Sequence, residues 1–218
     1  MLIDHVGAYF PRTAKSVILH VAAWNVSLYT VLRFIGRISF PIFAFLLVEG
    51  FLHTRDRRNY GLRLFLFALI SELPWNLVHT GTWLYEKQNV FFTLFFGYLA
   101  LCVIRCLEED GSDNNEILIL ALVGLLAITM VFKADYGCGG FGFILMLYFL
   151  REQALFRAVV GSCILPNRWK EGLAFLFIGL YNGERGFLKT KAASLIFYVI
   201  YPLQLCIFYL IRKNTTGF

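Results

Sequence analysis

Charged residues are scarce in this sequence. Asp, Glu, Lys and Arg make up 16% of the 218 residues, whereas hydrophobic residues make up 59% and the mean hydropathy is +0.67. About a quarter of a water-soluble domain is usually charged, so this composition excludes an ordinary soluble protein. Several apolar runs approach the ~20 residues that a membrane helix needs. We therefore predict one integral membrane domain over residues 1–218.

Alternation between apolar and polar residues is also missing. The apolar runs are continuous, which argues against the alternating strands of a membrane β-barrel. A spanning segment must satisfy its backbone hydrogen bonds internally, so a continuous apolar run predicts a helix. The fold class is therefore predicted to be all-α, a polytopic membrane helix bundle.

Paired cysteines are absent as well. The sequence has five cysteines and no C-x-x-C pair, which argues against a disulfide framework or a zinc site. We expect no metal centre and interpret the cysteines as small core residues. The formal net charge of +6 comes from Lys and Arg in short loops, as membrane orientation requires. It therefore does not indicate a nucleic-acid partner, and the partner that it indicates is the lipid bilayer.

Helical segments are predicted from the length of each apolar run and the charges beside it. The run 34–53 is predicted to bend at Pro41, and the run 61–79 is predicted to be interrupted at Glu72 and Pro74. The run 17–32 is the weakest candidate. With the rest this makes roughly eight or nine segments; the others are 90–107, 117–132, 138–150, 154–165, 171–181 and 192–211. The basic stretch "RDRR" (55–58) predicts a cytoplasmic loop after the 34–53 segment.

Ionisable residues nevertheless occur inside the apolar runs. Each one costs at least ~2.5–3.5 kcal/mol at membrane depth, so such residues predict a wet cavity used for chemistry or transport. The alternative is that they form ion pairs between helices. Candidates of this kind are Asp4, His5, Arg37, Glu49, His53, Glu72 and Asp135.

Spacing on a helix limits what these residues can do together. Glu49 and His53 are four residues apart and share a helix face. Asp4 and His5 are adjacent and point about 100° apart, so they are not expected to bond each other. His5 is the best candidate general base, because an imidazole titrates near neutral pH.

Two glycine-containing stretches have competing interpretations. Gly137, Gly139 and Gly142 match G-x-G-x-x-G, but a membrane helix precedes them, so a dinucleotide site is rejected. Asp135, just before them, is either a functional acid or a helix cap. In "LYNGERG", Asn182 and Arg185 form either a helix stop or a phosphate-binding corner.

Six stretches of the chain together resemble one known family, the TraX family of integral membrane proteins, which is related to conjugation pilin N-acetylases. The likeness extends from Met1 to about Leu210. The stretches that carry it are "MLIDHVGAYFP", "LRFIGRISFPIFAFLLVEGFLHTRDRRNYGLRLFLFALISELPWNL", "NVFFTLFFG", "DYGCGGFG", "LYNGERG" and "FYVIYPLQL".

The resemblance implies a function. It implies transfer of an acetyl group from acetyl-CoA to an amine or hydroxyl of a membrane-associated acceptor, such as a pilin-like peptide or an envelope component. It also implies a bacterial cytoplasmic membrane. Nothing in the sequence predicts the oligomeric state.

The resemblance further implies roles for individual residues. His5 would deprotonate the acceptor, Asp4 would orient the site and Arg37 would stabilise charge on the thioester oxygen. Glu72 and Asp135 would complete the catalytic interior. The acetyl-CoA site would be formed by Glu49, His53, Arg55, Arg57, Arg58, Arg63, Asn182 and Arg185.

The sequence departs from the family pattern at both ends. Relatives carry more residues before the "MLIDH" stretch, so a half-length first helix is expected here. The last motif usually reads Tyr-Pro-x-His, but Gln204 stands in place of the histidine, and a carboxamide cannot accept and release a proton at neutral pH. Two other functions stay open from the residues alone. They are a small proton-coupled transporter and a non-catalytic membrane scaffold.

Overall fold

A computed structural model describes residues 1–10, 18–21, 24–111, 114–165, 169–184 and 191–216. The described chain is helical apart from one antiparallel hairpin of β1 (Ile18–Val21) and β2 (Trp24–Ser27). The helices are α1 (Leu2–Tyr9), α2 (Leu28–Arg37), α3 (Ser39–His53), α4 (Arg57–Thr80), α5 (Val90–Asp110), α6 (Asn115–Val131), α7 (Gly137–Phe149), α8 (Ala154–Ile164), α9 (Trp169–Gly172), α10 (Ala174–Gly179) and α11 (Lys191–Thr216).

Four helical stretches are long and apolar enough to cross a membrane: Leu28–His53, Arg57–Thr80, Val90–Asp110 and Leu195–Asn214. The first joins α2 and α3 across Ile38. Three shorter apolar helices are α6, α7 and α8. The predicted all-α membrane bundle is confirmed, and the chain is an integral membrane protein.

The weakest predicted helix, 17–32, is wrong in its first half. Ile18 pairs with Ser27 and Val21 with Trp24 in the hairpin. β-Branched and aromatic residues, which favour strands, dominate this stretch. The helix begins only at Leu28, because the Ser27 hydroxyl accepts a hydrogen bond from the Thr30 N–H at 3.3 Å and caps it.

The predicted interruption at Glu72 and Pro74 is also wrong, because α4 continues to Thr80. Asp56 caps its start and Gly81, at φ 71°, ends it. A proline inside a membrane helix removes one backbone hydrogen bond, which neighbouring helices can compensate. The predicted bend at Pro41 lies instead at Ile38, between α2 and α3, and Pro41 sits in the first turn of α3.

Helix packing defines two ends of the bundle. α4 packs against α5 and α11, α5 packs against α6 and α7, and α1 lies along α2. At one end α4 leads into α5 and α6 leads into α7, and Gln88 N–H bonds to the Lys133 carbonyl at 3.2 Å. We call this the chamber end. The opposite end carries the α3–α4 link and the end of α5, where Arg57 pairs with Glu109 at 3.2 Å. We call this the basic end.

Candidate active site

A cavity of about 660 Å³ lies inside the bundle. Its lining runs along α4 from Tyr60 to His79, about 28 Å at 1.5 Å per residue. Side chains such as Leu47, Leu64 and Leu94 line its middle. Its polar residues gather at the chamber end, and we call this part the chamber. It is lined by Asp4, His5, Arg33, Arg37, His79 and Asp135. The cavity is therefore amphipathic, apolar along its length and polar at one end.

Asp4 is held by Arg33 and not by its neighbour His5. The Arg33 guanidinium lies 2.7 Å from Oδ2 of Asp4 and also donates to the Asp4 backbone carbonyl at 3.4 Å. Gly36 allows this approach, since a Cβ there would lie 2.1 Å from the Asp4 Cβ. The other carboxylate oxygen, Oδ1, is buried and has no hydrogen-bond partner among the described residues. Asp4 thus keeps one oxygen free within a fixed ion pair.

His5 is buried in an aromatic setting. Its ring centroid lies 5.3 Å from that of Tyr9, 6.1 Å from Tyr201 and 6.1 Å from Phe208. Its Nδ1 is buried without a hydrogen-bond partner in the described part of the chain. No described group therefore fixes which ring nitrogen carries the proton.

Arg37 and Asp135 approach the chamber from different elements. Arg37 ends α2 and forms no ion pair with another described residue. Asp135 lies in the turn before α7, which Tyr136 caps without a side-chain hydrogen bond, so the alternative cap role of Asp135 is wrong. Thr93 holds this turn, because its hydroxyl accepts from the Tyr136 N–H at 3.4 Å.

Asp135 carries the clearest electrostatic perturbation outside the spans. Its carboxyl opens onto the cavity, but protein surrounds it on its other sides. This burial raises the pKa of Asp135 to about 6, against the opposing effect of Arg37. The carboxyl therefore changes charge close to neutral pH.

The structure does not bring Glu72 into the chamber. Its Oε2 accepts a hydrogen bond from the Asn89 side chain at 2.6 Å, and the same Asn89 nitrogen donates to the Ala68 carbonyl at 2.9 Å. Asn89 also caps α5. In this arrangement Glu72 ties α4 to the start of α5.

The residues predicted to bind acetyl-CoA lie mainly at the basic end. Arg57 begins α4 and is about 33 Å from His79 along the helix. Arg57 and Arg58 line a second, shallower pocket of about 290 Å³. Arg55 is exposed, and Arg63 donates to the Asn59 carbonyl at 3.2 Å. The structure therefore separates the predicted donor site from most of the predicted catalytic residues.

The remaining predicted ligands take part in local contacts. His53 lies 2.9 Å from the Glu49 carbonyl and 3.7 Å from its carboxylate, which confirms that the two share a face. Asn182 accepts from the Glu184 N–H at 3.1 Å, within a turn beside the cavity-lining Tyr181 and Glu184. Arg185 lies outside the described residues.

Sequence reasoning missed His79, Arg33 and Tyr9, which also line the cavity. His79 stands near the end of the predicted span 61–79, where a histidine usually favours a helix C-terminus. The spacing of Trp75 and His79 was the available signal, because residues four apart on a helix touch. Their ring centroids lie 4.0 Å apart.

Comparison with known proteins gives the chain its relatives. It is 26% identical over 236 residues to "Probable fimbrial assembly protein FimC, serogroup H1" from Dichelobacter nodosus, covering 95% of this chain and 88% of the relative. No solved structure matches. The family model described as TraX protein matches residues 1–212, the same length of chain that surrounds the chamber. This chain is therefore a member of the TraX family.

Proposed function

We propose that this protein is a membrane acetyltransferase of the bacterial cytoplasmic membrane. It transfers an acetyl group from acetyl-CoA to an amine or hydroxyl on a membrane-associated acceptor that takes part in pilus-related assembly. The observation that carries the proposal is the amphipathic cavity, which joins an apolar passage to a chamber holding imidazole, carboxylate and guanidinium groups.

The shape of the cavity suits the donor. The acetyl-pantetheine arm of acetyl-CoA is long and narrow and ends in the reactive thioester. A passage of about 28 Å along α4 is long enough for such an arm to reach the chamber. Arg57 and Arg58, beside the shallower pocket at the basic end, have the charge that the phosphates of the nucleotide part require.

The chamber supplies groups that acetyl transfer needs. A neutral imidazole removes the proton from the acceptor amine or hydroxyl as that atom attacks the acetyl carbon. On the sequence prediction this imidazole is His5. Arg37, which has no ion pair among the described residues, stabilises the oxygen of the tetrahedral intermediate. Breaking the carbon–sulfur bond then releases coenzyme A.

Radiolabelled acetyl-CoA tests this function directly. The purified protein, reconstituted in lipid nanodiscs, is incubated with the labelled donor and with hexylamine or hexanol as a surrogate acceptor. We expect saturable thiol release and acetylated product, both reduced at least about tenfold in Arg37→Gln. Equal thiol release from protein-free nanodiscs would refute the proposal.

A second candidate is a non-catalytic role in pilus assembly. The printed name of the Dichelobacter relative, a fimbrial assembly protein, favours it without naming a reaction. The two candidates differ in donor binding. An assembly factor would neither bind acetyl-CoA saturably nor release its thiol, whereas the proposed enzyme does both.

A further inference from the structure

We propose that His79 is the residue of the chamber that takes the proton from the acceptor. This inference rests on the proposed acetyl transfer and assigns the general base of that reaction. His79 was not among the residues singled out from the sequence, and it replaces His5 in this role. Both imidazoles line the same cavity, so the choice between them depends on how each ring is held.

The hydrogen bond of His79 identifies its basic nitrogen. Its Nδ1 lies 2.9 Å from the backbone carbonyl oxygen of Trp75. A carbonyl oxygen only accepts, so Nδ1 must carry the hydrogen. In the neutral ring the lone pair then lies on Nε2, and that atom alone can take a proton.

Aromatic rings hold the His79 imidazole from several sides. The Tyr85 ring is stacked on it at 5.1 Å with an interplanar angle of 7°. Trp75 lies at 4.0 Å, and Tyr9 meets it edge-on at 5.3 Å. Ring faces attract a cation, so Trp75 and Tyr85 stabilise the positive charge that His79 gains as it accepts the proton.

His5 lacks the corresponding support. Its Nδ1 has no hydrogen-bond partner among the described residues, so its tautomer is not set. A general base is normally oriented by a third group that bonds its other nitrogen. Tyr9 touches both rings, at 5.3 Å from each. We therefore assign His5 to packing and positioning Tyr9 beside His79.

The proton and bond changes balance without another reactant. The acceptor nitrogen or oxygen loses its proton to Nε2 of His79 and forms a bond to the acetyl carbon. The carbon–sulfur bond of acetyl-CoA breaks, and its electron pair goes to sulfur. His79 returns the proton to that sulfur, which gives the free thiol and restores the neutral imidazole.

Substitution by asparagine separates the base from its structural hydrogen bond. In His79→Asn the side-chain N–H can still reach the Trp75 carbonyl, but no basic nitrogen remains. His53→Asn is the matched control for stability. His53 makes the same contact with the carbonyl four residues earlier, also at 2.9 Å, and it does not line the cavity.

The assay compares acetyl transfer to hexylamine at saturating acetyl-CoA, in nanodiscs, with thermal unfolding measured in parallel. We expect His79→Asn to lose at least about 100-fold of the rate, with an unfolding temperature shifted no more than in His53→Asn. Added imidazole should restore at least about tenfold of the rate to His79→Ala, because it supplies the missing base. His5→Asn should lose less than His79→Asn.

Each other outcome contradicts the inference in a distinguishable way. If the wild-type protein transfers acetyl groups and His79→Asn stays within about threefold of it, His79 is not the base. A larger loss in His5→Asn than in His79→Asn, or no rescue by imidazole, would also overturn the assignment. If the wild-type protein transfers no acetyl group, the proposed function fails, and the role of His79 fails with it.

Discussion

The two ends of the bundle use the same kinds of charged residue in different ways. At the basic end, Arg57 and Arg105 share Glu109, at 3.2 and 2.9 Å, and all three side chains are largely exposed. At the chamber end, the Asp4–Arg33 pair is about one-fifth exposed, and buried polar atoms of Asp4 and His5 lack partners among the described residues.

This difference separates charges that cost little from charges that cost much. An exposed ion pair contributes about 0–1 kcal/mol and is easily replaced by solvent. A buried polar atom without a partner costs about 1–3 kcal/mol, and such atoms in a native protein usually mark a bound ligand, water or reaction. The contrast therefore assigns chemistry to the chamber end and leaves surface roles to the basic end.

The largest expected effect comes from closing the chamber. In Gly36→Leu the new side chain meets Asp4, because even a Cβ would lie 2.1 Å from its Cβ. We expect α1 to be displaced from α2, acetyl transfer to be lost, and the unfolding free energy to fall by about 1–3 kcal/mol. Denaturant unfolding in micelles and thiol release measure the two effects.

Gly124→Leu is the matched control for this change. Gly124 is also in an apolar helix, but nothing lies within 4 Å of a Cβ there. It should keep both stability and transfer near the wild-type values. Similar losses in both variants would show that the close approach at Gly36 is not what shapes the chamber.

Removing the unpaired cation of the chamber should have the next largest effect. Arg37→Gln takes away the donor proposed for the thioester oxygen, and loss of one such donor typically costs about 10²–10³ in rate. Lys213→Gln, an exposed cation in the last turn of α11, should change the rate less than about threefold. Equal small effects would identify Arg37 as a structural residue only.

Long-range packing explains which parts of the molecule could be predicted from sequence. The spans at α4, α5 and α11 follow from apolar length alone. The gathering of Asp4, His5, Arg37 and Asp135 was expected only as a consequence of their cost in lipid. Local signals failed at 18–27, where strand-forming residues inside an apolar run resembled a helix.

His79 could not be found by the same reasoning. Its role depends on Tyr85 and Tyr9, which come from a loop and another helix. Glu72 shows the opposite case, because its position inside an apolar run suggested chemistry, but Asn89, seventeen residues further along, binds it. Cost in lipid identifies residues that need a partner, and only the fold shows which partner each one has.

A smaller effect is expected from pH at the chamber end. The pKa of Asp135 is raised by burial from 3.8 to about 6, so the folded state binds more protons than the unfolded state between these values. Stability contributed by this group therefore falls as pH rises from about 4 to 6 and stays at its lower level above that window.

Asp135→Asn removes this contribution. The unfolding temperature of the wild-type protein in nanodiscs should rise more on going from pH 7.5 to pH 5 than that of Asp135→Asn. The comparison isolates Asp135, because the other titrating groups are shared. An identical pH dependence in both proteins would show that Asp135 is not buried as described.

The smallest effect is expected at the basic end. Arg57→Gln breaks an exposed pair and should lower the unfolding free energy by less than about 1 kcal/mol. Because Arg57 lines the shallow pocket, we expect it to raise the KM for acetyl-CoA severalfold. Arg105→Gln loses the same partner, Glu109, but lies outside that pocket, so its KM should not change. Equal KM values in both variants would remove Arg57 from the donor site.

The most direct test is a cryo-EM map of the protein in nanodiscs with a non-transferable thioether analogue of acetyl-CoA. The account predicts density for the arm along α4 inside the cavity, with its acyl end beside Arg37 and His79. Density confined to the outer surface of the bundle, with the cavity filled by lipid or side chains, would contradict it.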